Sequence, residues 1–339
     1  MTVAYVVAGP ERHGVVLHGL GLAQASPGLA SALVRLPSAS LDDPVGLGPD
    51  RWGSYERVMV QVTDRLFGVT PPAAVAYLSQ VARRTSLVAC LHDLPHPTEG
   101  ADRCARRRQA YREIAAVADV VVVASEHERM LLSQCGAPVT SGADVVVIPL
   151  PLERVDRPDV PHDRQPRLDD IGVLGFLYPG KGIENVIDAA ATLRDRGKCV
   201  GVTNYGPVAE GHQQYADELE ARARRQGIDF TIAGYLSVTD LTRALRSTTV
   251  PVAAHRHVSA SGSIGTWLSS GRRPVVVDGG WSAELATRIP GSLTLTGDLV
   301  GALAAAFDAP ATTWLTDVSL GPSWSEAALR HHDLLEPAA

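Results

Sequence analysis

Short, nearly continuous apolar runs alternate along the whole chain with longer segments in which apolar residues return every third or fourth position. The short runs, at 3–8, 58–62, 86–91, 120–124, 144–148, 171–177, 200–204, 230–233, 250–254 and 274–277, have the pattern of strands covered on both faces. The periodic segments, at 15–25, 73–82, 182–196, 214–226 and 240–246, read as amphipathic helices. Further helices open at 125–126, at 259–263 and at 283, and a last one covers 323–335, with Ser125 and Ser323 as candidate caps. Strand and helix alternating through both halves predict an α/β chain of two doubly wound domains facing a cleft. Between the halves, Pro158, Pro161 and Pro166 stand among charged residues with no apolar period. This predicts a linker at 156–170 between domains at 1–155 and 171–320.

Composition narrows the function classes. The 339 residues are 45% hydrophobic and 20% charged, with a formal net charge of -6, which speaks against a nucleic-acid partner. The four cysteines form no Cys-x-x-Cys pair, and Cys90 and Cys199 lie in apolar runs. Core thiols in a reducing cytoplasm are the expectation, with no zinc site. No basic start followed by a long apolar run opens the chain, and no apolar stretch has the length of a bilayer span. The expected location is therefore cytoplasmic. Arg103, Arg106, Arg107, Arg108 and Arg112 lie on one predicted helix, and three of them are consecutive. A solvated helix face is the expected reading; a patch for an anionic acceptor, or a less favoured peripheral contact to an anionic membrane, is the sharper one.

Three places carry candidate chemistry. The run 171–177 ends at Tyr178-Pro179-Gly180, so Lys181 stands where a helix begins, beside free backbone N–H groups that suit an anion. Only two of the 31 basic residues are lysines, Lys181 and Lys198. A compact ammonium in a tight phosphate site would explain the lysine at 181, as would a plain solvated helix start. The second place is Ser259-Ala-Ser-Gly-Ser-Ile-Gly, where Ser261, Gly262 and Ser263 open a helix after a strand. That turn offers either capping alone or hydroxyl and N–H contacts to a phosphate. Third, His92 follows a strand end, the edge at which open α/β sheets bind ligands, as a structural histidine, a proton carrier or a hydrogen-bond donor. Near the start, Gly9 to Gly14 forms a strand–turn–helix without the Gly-x-Gly-x-x-Gly pattern, so a dinucleotide site has little support.

Taken in order, His13-Gly14, Leu91-His92-Asp93, Val122 to Glu126, Val146 to Leu150, Gly175 to Gly182, Gly234-Tyr235-Leu236, and Ser259 to Gly271 with Pro274 to Val277 resemble the motifs of retaining glycosyltransferases. The resemblance is to the GT-B architecture of two Rossmann-like domains, family GT4, and it covers nearly the whole chain. It implies transfer of a hexose from a UDP- or GDP-sugar to a hydroxyl acceptor, either a small molecule or a glycan. It implies no metal and no cofactor beyond the nucleotide-sugar co-substrate. In this reading Lys181 touches the diphosphate, Gly234, Tyr235 and Leu236 meet the base, and Gly14 with Ser261, Gly262 and Ser263 closes on the phosphates. His92 meets the transferred sugar, while Thr63, Asp64, Glu99 and Arg106 lie on the acceptor side. A last helix, at 322–336, packs back on the first domain.

Two departures from the family pattern stand out. Phe176 occupies the place of a frequent phosphate-binding arginine, for which Arg256 or Arg272 is a candidate replacement. The usual Glu-x7-Glu pair has given way to Val258 and Thr266, leaving Glu284 as a candidate ribose ligand. These losses keep open a degenerate binding or partner protein of the same architecture. A nucleotide-sugar epimerase is the other alternative.

Overall fold

The structure is a computed structural model that describes residues 2–36, 48–137, 144–154, 170–198, 200–255 and 257–336. It forms two compact units, Met1–Pro151 with Pro322–Ala339, and Leu152–Gly321. In the first unit the order is β1 (Val3–Ala8), α1 (Gly14–Ala25), α2 (Pro27–Ser31), β2 (Leu33–Leu36), β3 (Arg57–Val62) and α3 (Pro71–Ala82). Then follow β4 (Ser86–Leu91), α4 (Ala101–Val117), β5 (Val120–Val123), α5 (Glu126–Gln134) and β6 (Asp144–Val147). The second unit contains β7 (Asp170–Leu174), α6 (Ile183–Asp195), β8 (Gly201–Tyr205), α7 (Gln213–Arg225), β9 (Asp229–Ile232) and α8 (Val238–Ser247). It continues with β10 (Val250–Ala253), α9 (Gly262–Ser269), β11 (Val275–Val277), α10 (Gly280–Arg288), β12 (Thr294–Thr296) and α11 (Leu299–Asp308). The chain then returns to the first unit as α12 (Trp324–Leu335).

Each unit has one parallel sheet, ordered β2-β1-β3-β4-β5-β6 and β12-β11-β10-β7-β8-β9. Strands such as Val58–Val62 and Ile171–Val173 are buried on both faces because helices cover both sides, which is why they read as unbroken apolar runs. Helix starts follow their caps. Ser125 Oγ accepts from Glu128 N at 3.0 Å, Ser237 Oγ from Asp240 N at 3.1 Å and Ser261 Oγ from Ile264 N at 3.2 Å. Ser323 and Glu326 close a full capping box at α12. On α6 the predicted face is the buried one: Ile183, Val186, Ile187, Ala190 and Leu193 all lie in the core. Helix α12 packs on α1, with Ala327, Ala328 and Leu335 joining Val16 and Leu22 in one cluster. No helix among the described residues is long and apolar enough to cross a membrane.

Several elements differ from the sequence-based expectation. The short α2, β2 and β12 carry too few periodic positions to stand out, and α11 is apolar along nearly its whole length, so that no polar face marks its period. Leu152 belongs to the second unit, buried with Ile264 and Leu268, and Arg154 donates to the Leu315 carbonyl at 3.3 Å, so that unit begins before the predicted linker. The linker at 156–170 lies outside the described residues except for Asp170, which starts β7, and Cys199 and Arg256 are outside them too. Cys90, Cys104 and Cys135 are free and buried.

Candidate functional site

A doubly wound sheet has one place where successive strands leave in opposite directions, and the loops there part to leave a crevice at the strand C-termini. In the second unit that place lies between β7 and β10. The loop after β7 carries Lys181 and the loop after β10 carries His255 to Ser263, so the topology brings together two segments 80 residues apart.

Lys181 is 4% exposed, which replaces the expected solvated helix-start lysine with a buried one. Its Nζ donates to Ser263 Oγ at 3.4 Å, lies 5.9 Å from the centre of the Tyr178 ring, and has no carboxylate partner among the described residues. Burial without a counter-charge lowers its pKa from the ordinary 10.5 to about 7. Two glycines make the seat. Gly175 has φ +111, and a Cβ there would lie 2.8 Å from Lys181 Nζ. Gly182, the residue before α6, has φ +77, and a Cβ there would lie 1.8 Å from the Ala254 carbonyl oxygen at the end of β10. Gly182→Ala is therefore expected to lower the unfolding free energy by at least about 2 kcal/mol, read from urea denaturation.

Around the ammonium, Ser261 Oγ lies 3.0 Å from Ser263 Oγ at the start of α9. The Nδ1 of His255 is buried and has no hydrogen-bond partner. Burial, then the Lys181 charge, hold the pKa of His255 well below the usual imidazole value. One ammonium, two hydroxyls, an imidazole and two helix starts on one sheet edge, with no carboxylate pairing to Lys181, suit an anion. Next to this cluster, Gly234 takes φ +67 after β9, and the half-exposed Tyr235 ring meets Phe176 edge-on at 6.0 Å. Leu236 packs partly on Tyr205 and Trp267. Glu284 is half-buried on α10, one turn before Arg288. Thr266 turns its hydroxyl back to the Gly262 carbonyl at 2.9 Å. Arg272, considered above as a phosphate cation, is 1% exposed and donates to the carbonyls of Leu245, Thr248, Thr249 and Thr313. With its nitrogens so occupied it joins main-chain segments rather than facing a ligand.

In the first unit the strand order reverses between β1 and β3. Gly14 begins α1 with open space around it, and His13 caps the helix, its Nδ1 accepting from Val15 N at 3.3 Å. His92 follows β4. Its Nε2 lies 2.6 Å from Oε1 of Gln61, a fully buried polar residue in β3. An amide oxygen only accepts, so the imidazole proton sits on Nε2 and Nδ1 is left as an acceptor. Burial first, then the neighbouring His331 and His13, hold His92 down to about 3. With its pKa held this low the ring carries no charge near neutral pH, and its Nε2–H is taken by Gln61. His18 stands edge-on to His92 at 5.5 Å and 6.4 Å from His331 of α12.

Of the acceptor-side residues named from the sequence, Asp64 and Glu99 have a structural partner in Arg107. Arg107 is 3% exposed, its Nε donating to Asp64 Oδ2 at 3.0 Å, its Nη1 to Glu99 and its Nη2 to Asp93 Oδ2 at 2.9 Å. Asp93 holds φ +54, and the Tyr111 hydroxyl donates to the His92 carbonyl at 2.6 Å, so Arg107 and Tyr111 together fix the turn after His92. Arg107 is thus no member of a solvated face, whereas Arg106 is exposed and Thr63 is buried. No group of metal-ligating side chains occurs among the described residues. Gln61 and His255 were not singled out in the sequence, and Arg107 was placed there on a solvated face. A polar residue inside the apolar run 58–62 was the one signal for Gln61.

The two parallel sheets with their helices define a two-unit, doubly wound α/β protein. No family model and no curated protein matches the chain. Solved structures do. HepE from Anabaena in complex with UDP-glucose superposes with a TM-score of 0.70 at 16% identity, over 98% of this chain and 94% of that one. Sucrose-phosphate synthase from Thermosynechococcus elongatus gives 0.66 at 13% identity, over 98% and 94%. An Escherichia coli structure described as trehalose-6-phosphate bound with UDP-2-fluoro glucose gives 0.61 at 11% identity, over 98% and 95%. These neighbours are GT-B glycosyltransferases, and the chain has the GT-B fold.

Proposed function

We propose that the protein is a retaining, metal-independent hexosyltransferase of the GT4 type, moving a hexose from a UDP- or GDP-sugar to a hydroxyl acceptor. The observation that carries this reading is Lys181, a buried ammonium with no carboxylate partner among the described residues, at the topological switch of the second unit. A diphosphate would supply the missing counter-charge, and the ammonium would stabilise it further as charge builds on the leaving group. The hydroxyls of Ser261 and Ser263 and the start of α9 add donors to the same anion. Gly234, Tyr235 and Leu236 receive the base, and Gly14 contributes backbone N–H groups. Glu284 is the candidate for the ribose. Neutral His92 accepts a hydrogen bond from a hydroxyl of the transferred sugar, a bond that strengthens as positive charge develops on the ring. HepE, solved with UDP and with UDP-glucose, supports the uridine form of the donor. A soluble protein acting on a small-molecule or glycan acceptor suits this reading.

In a thermal-shift assay, UDP at a hundred times its Kd should stabilise the chain by about 2.7 kcal/mol, and EDTA should leave that gain in place. Loss of the gain in EDTA would assign the diphosphate to a metal instead of Lys181. Thr266 and Val258 at the usual glutamate positions favour a second reading, a binding protein that does not turn the donor over. Release of UDP from UDP-glucose separates the two.

A further inference from the structure

This inference rests on the donor-binding reading and adds a residue to it. Two basic side chains share the switch point of the second unit, the buried Lys181 from the turn before α6 and the half-buried His255 from the loop after β10, whose Nδ1 is itself buried. Their backbones are locked to each other, because the carbonyl of Ala254 occupies the space a side chain on Gly182 would need. Lys181 has Ser263 as a partner, but His255 Nδ1 is buried with none. A buried polar nitrogen without a partner is costly, and this one stands beside an ammonium that has no counter-charge, so one anionic ligand oxygen group would complete both. Among the described residues, the titratable group acting on His255 is Lys181, whose own partner is the Ser263 hydroxyl at the start of α9.

We infer that His255 is a second diphosphate-binding side chain, donating from Nδ1–H, as a neutral imidazole, to a phosphate oxygen of the donor. Neutrality follows from burial and the adjacent ammonium, both of which oppose a second positive charge. A neutral donor supplies direction where Lys181 supplies charge. The pair therefore separates orientation of the leaving group from its neutralisation.

The test is calorimetric titration of the full chain with UDP and with uridine, for wild type, His255→Ala and His255→Asn. The Asn amide nitrogen stands close to the position of Nδ1. His255→Ala is expected to weaken UDP at least about tenfold, the loss of one hydrogen bond to a charged oxygen. His255→Asn should stay within about threefold of wild type, and uridine affinity should be the same in all three. Equal UDP affinity in wild type and His255→Ala overturns the inference while leaving the donor reading intact. Uridine weakened as much as UDP, or Asn failing as badly as Ala, overturns it in favour of a structural histidine. A wild type that binds no nucleoside diphosphate overturns the donor reading and this inference together.

Discussion

Replacing Lys181 with methionine is expected to make the protein more stable and to leave it unable to hold its donor. The folded chain lowers this lysine to about 7, whereas the unfolded chain keeps it near 10.5. The unfolded state thus binds the extra proton between pH 7 and about 10, and wild-type stability rises with pH across that window. Below pH 7 the cost of burying the charge is fully present. Methionine fills a similar volume with no charge, so at pH 6 the variant should unfold later, by as much as about 4 kcal/mol. The advantage should shrink as pH approaches 10. UDP binding should move the other way. Removing one partner of a buried charge pair costs 2–5 kcal/mol or more, so affinity should fall about a hundredfold or beyond. Wild-type affinity should also decline by about tenfold per pH unit above 7, where the free ammonium loses its proton, and the methionine variant should show no such slope. A variant that is less stable yet binds UDP normally would make Lys181 a structural residue. A stabilising change that removes binding is the signature of a site that holds strain for its ligand.

The fold was legible because parallel strands covered on both faces advertise themselves as short apolar runs, and most of them begin and end within a residue or two of the observed strands. Elements of three to five residues such as β2 and β12 have no room for a period, and Arg35 within β2 hides it further by reaching back to the Val7 carbonyl at 2.7 Å. Lys181 stood out by rarity and by position after a strand. What the sequence could not convey was which loops meet, since that depends on strand order rather than on spacing. His255 joins Lys181 only because β10 lies beside β7 in the sheet. Arg107 shows the converse limit. Among consecutive arginines on a charged helix nothing marks the one that turns inward, and its three carboxylates come from the end of β3, the turn after β4 and the loop before α4.

His92→Ala is expected to cut the rate of UDP release from UDP-glucose by about a hundredfold, the scale of one transition-state hydrogen bond, while UDP affinity hardly changes. The hexose is absent from UDP, so a residue that acts on the sugar cannot show in that affinity. The physical basis is the tautomer. Gln61 holds the proton on Nε2 at 2.6 Å, which leaves Nδ1 as a fixed acceptor. Gln61→Leu frees the ring to turn and to adopt the other tautomer, so that variant should lose about tenfold in rate. The pH profile separates this role from proton transfer. A histidine carrying a proton would put a step in kcat near its ordinary value of about 6.5, as protons are traded with the reacting group. With His92 held down to about 3 by burial and by His331 and His13, kcat at saturating donor should be flat from pH 5 to 8. A step near 6.5 that disappears in His92→Ala would restore the proton-carrier role. Unchanged turnover in His92→Ala would remove His92 from the chemistry and leave it as the hydrogen-bonded neighbour of Gln61 in the core of the first unit.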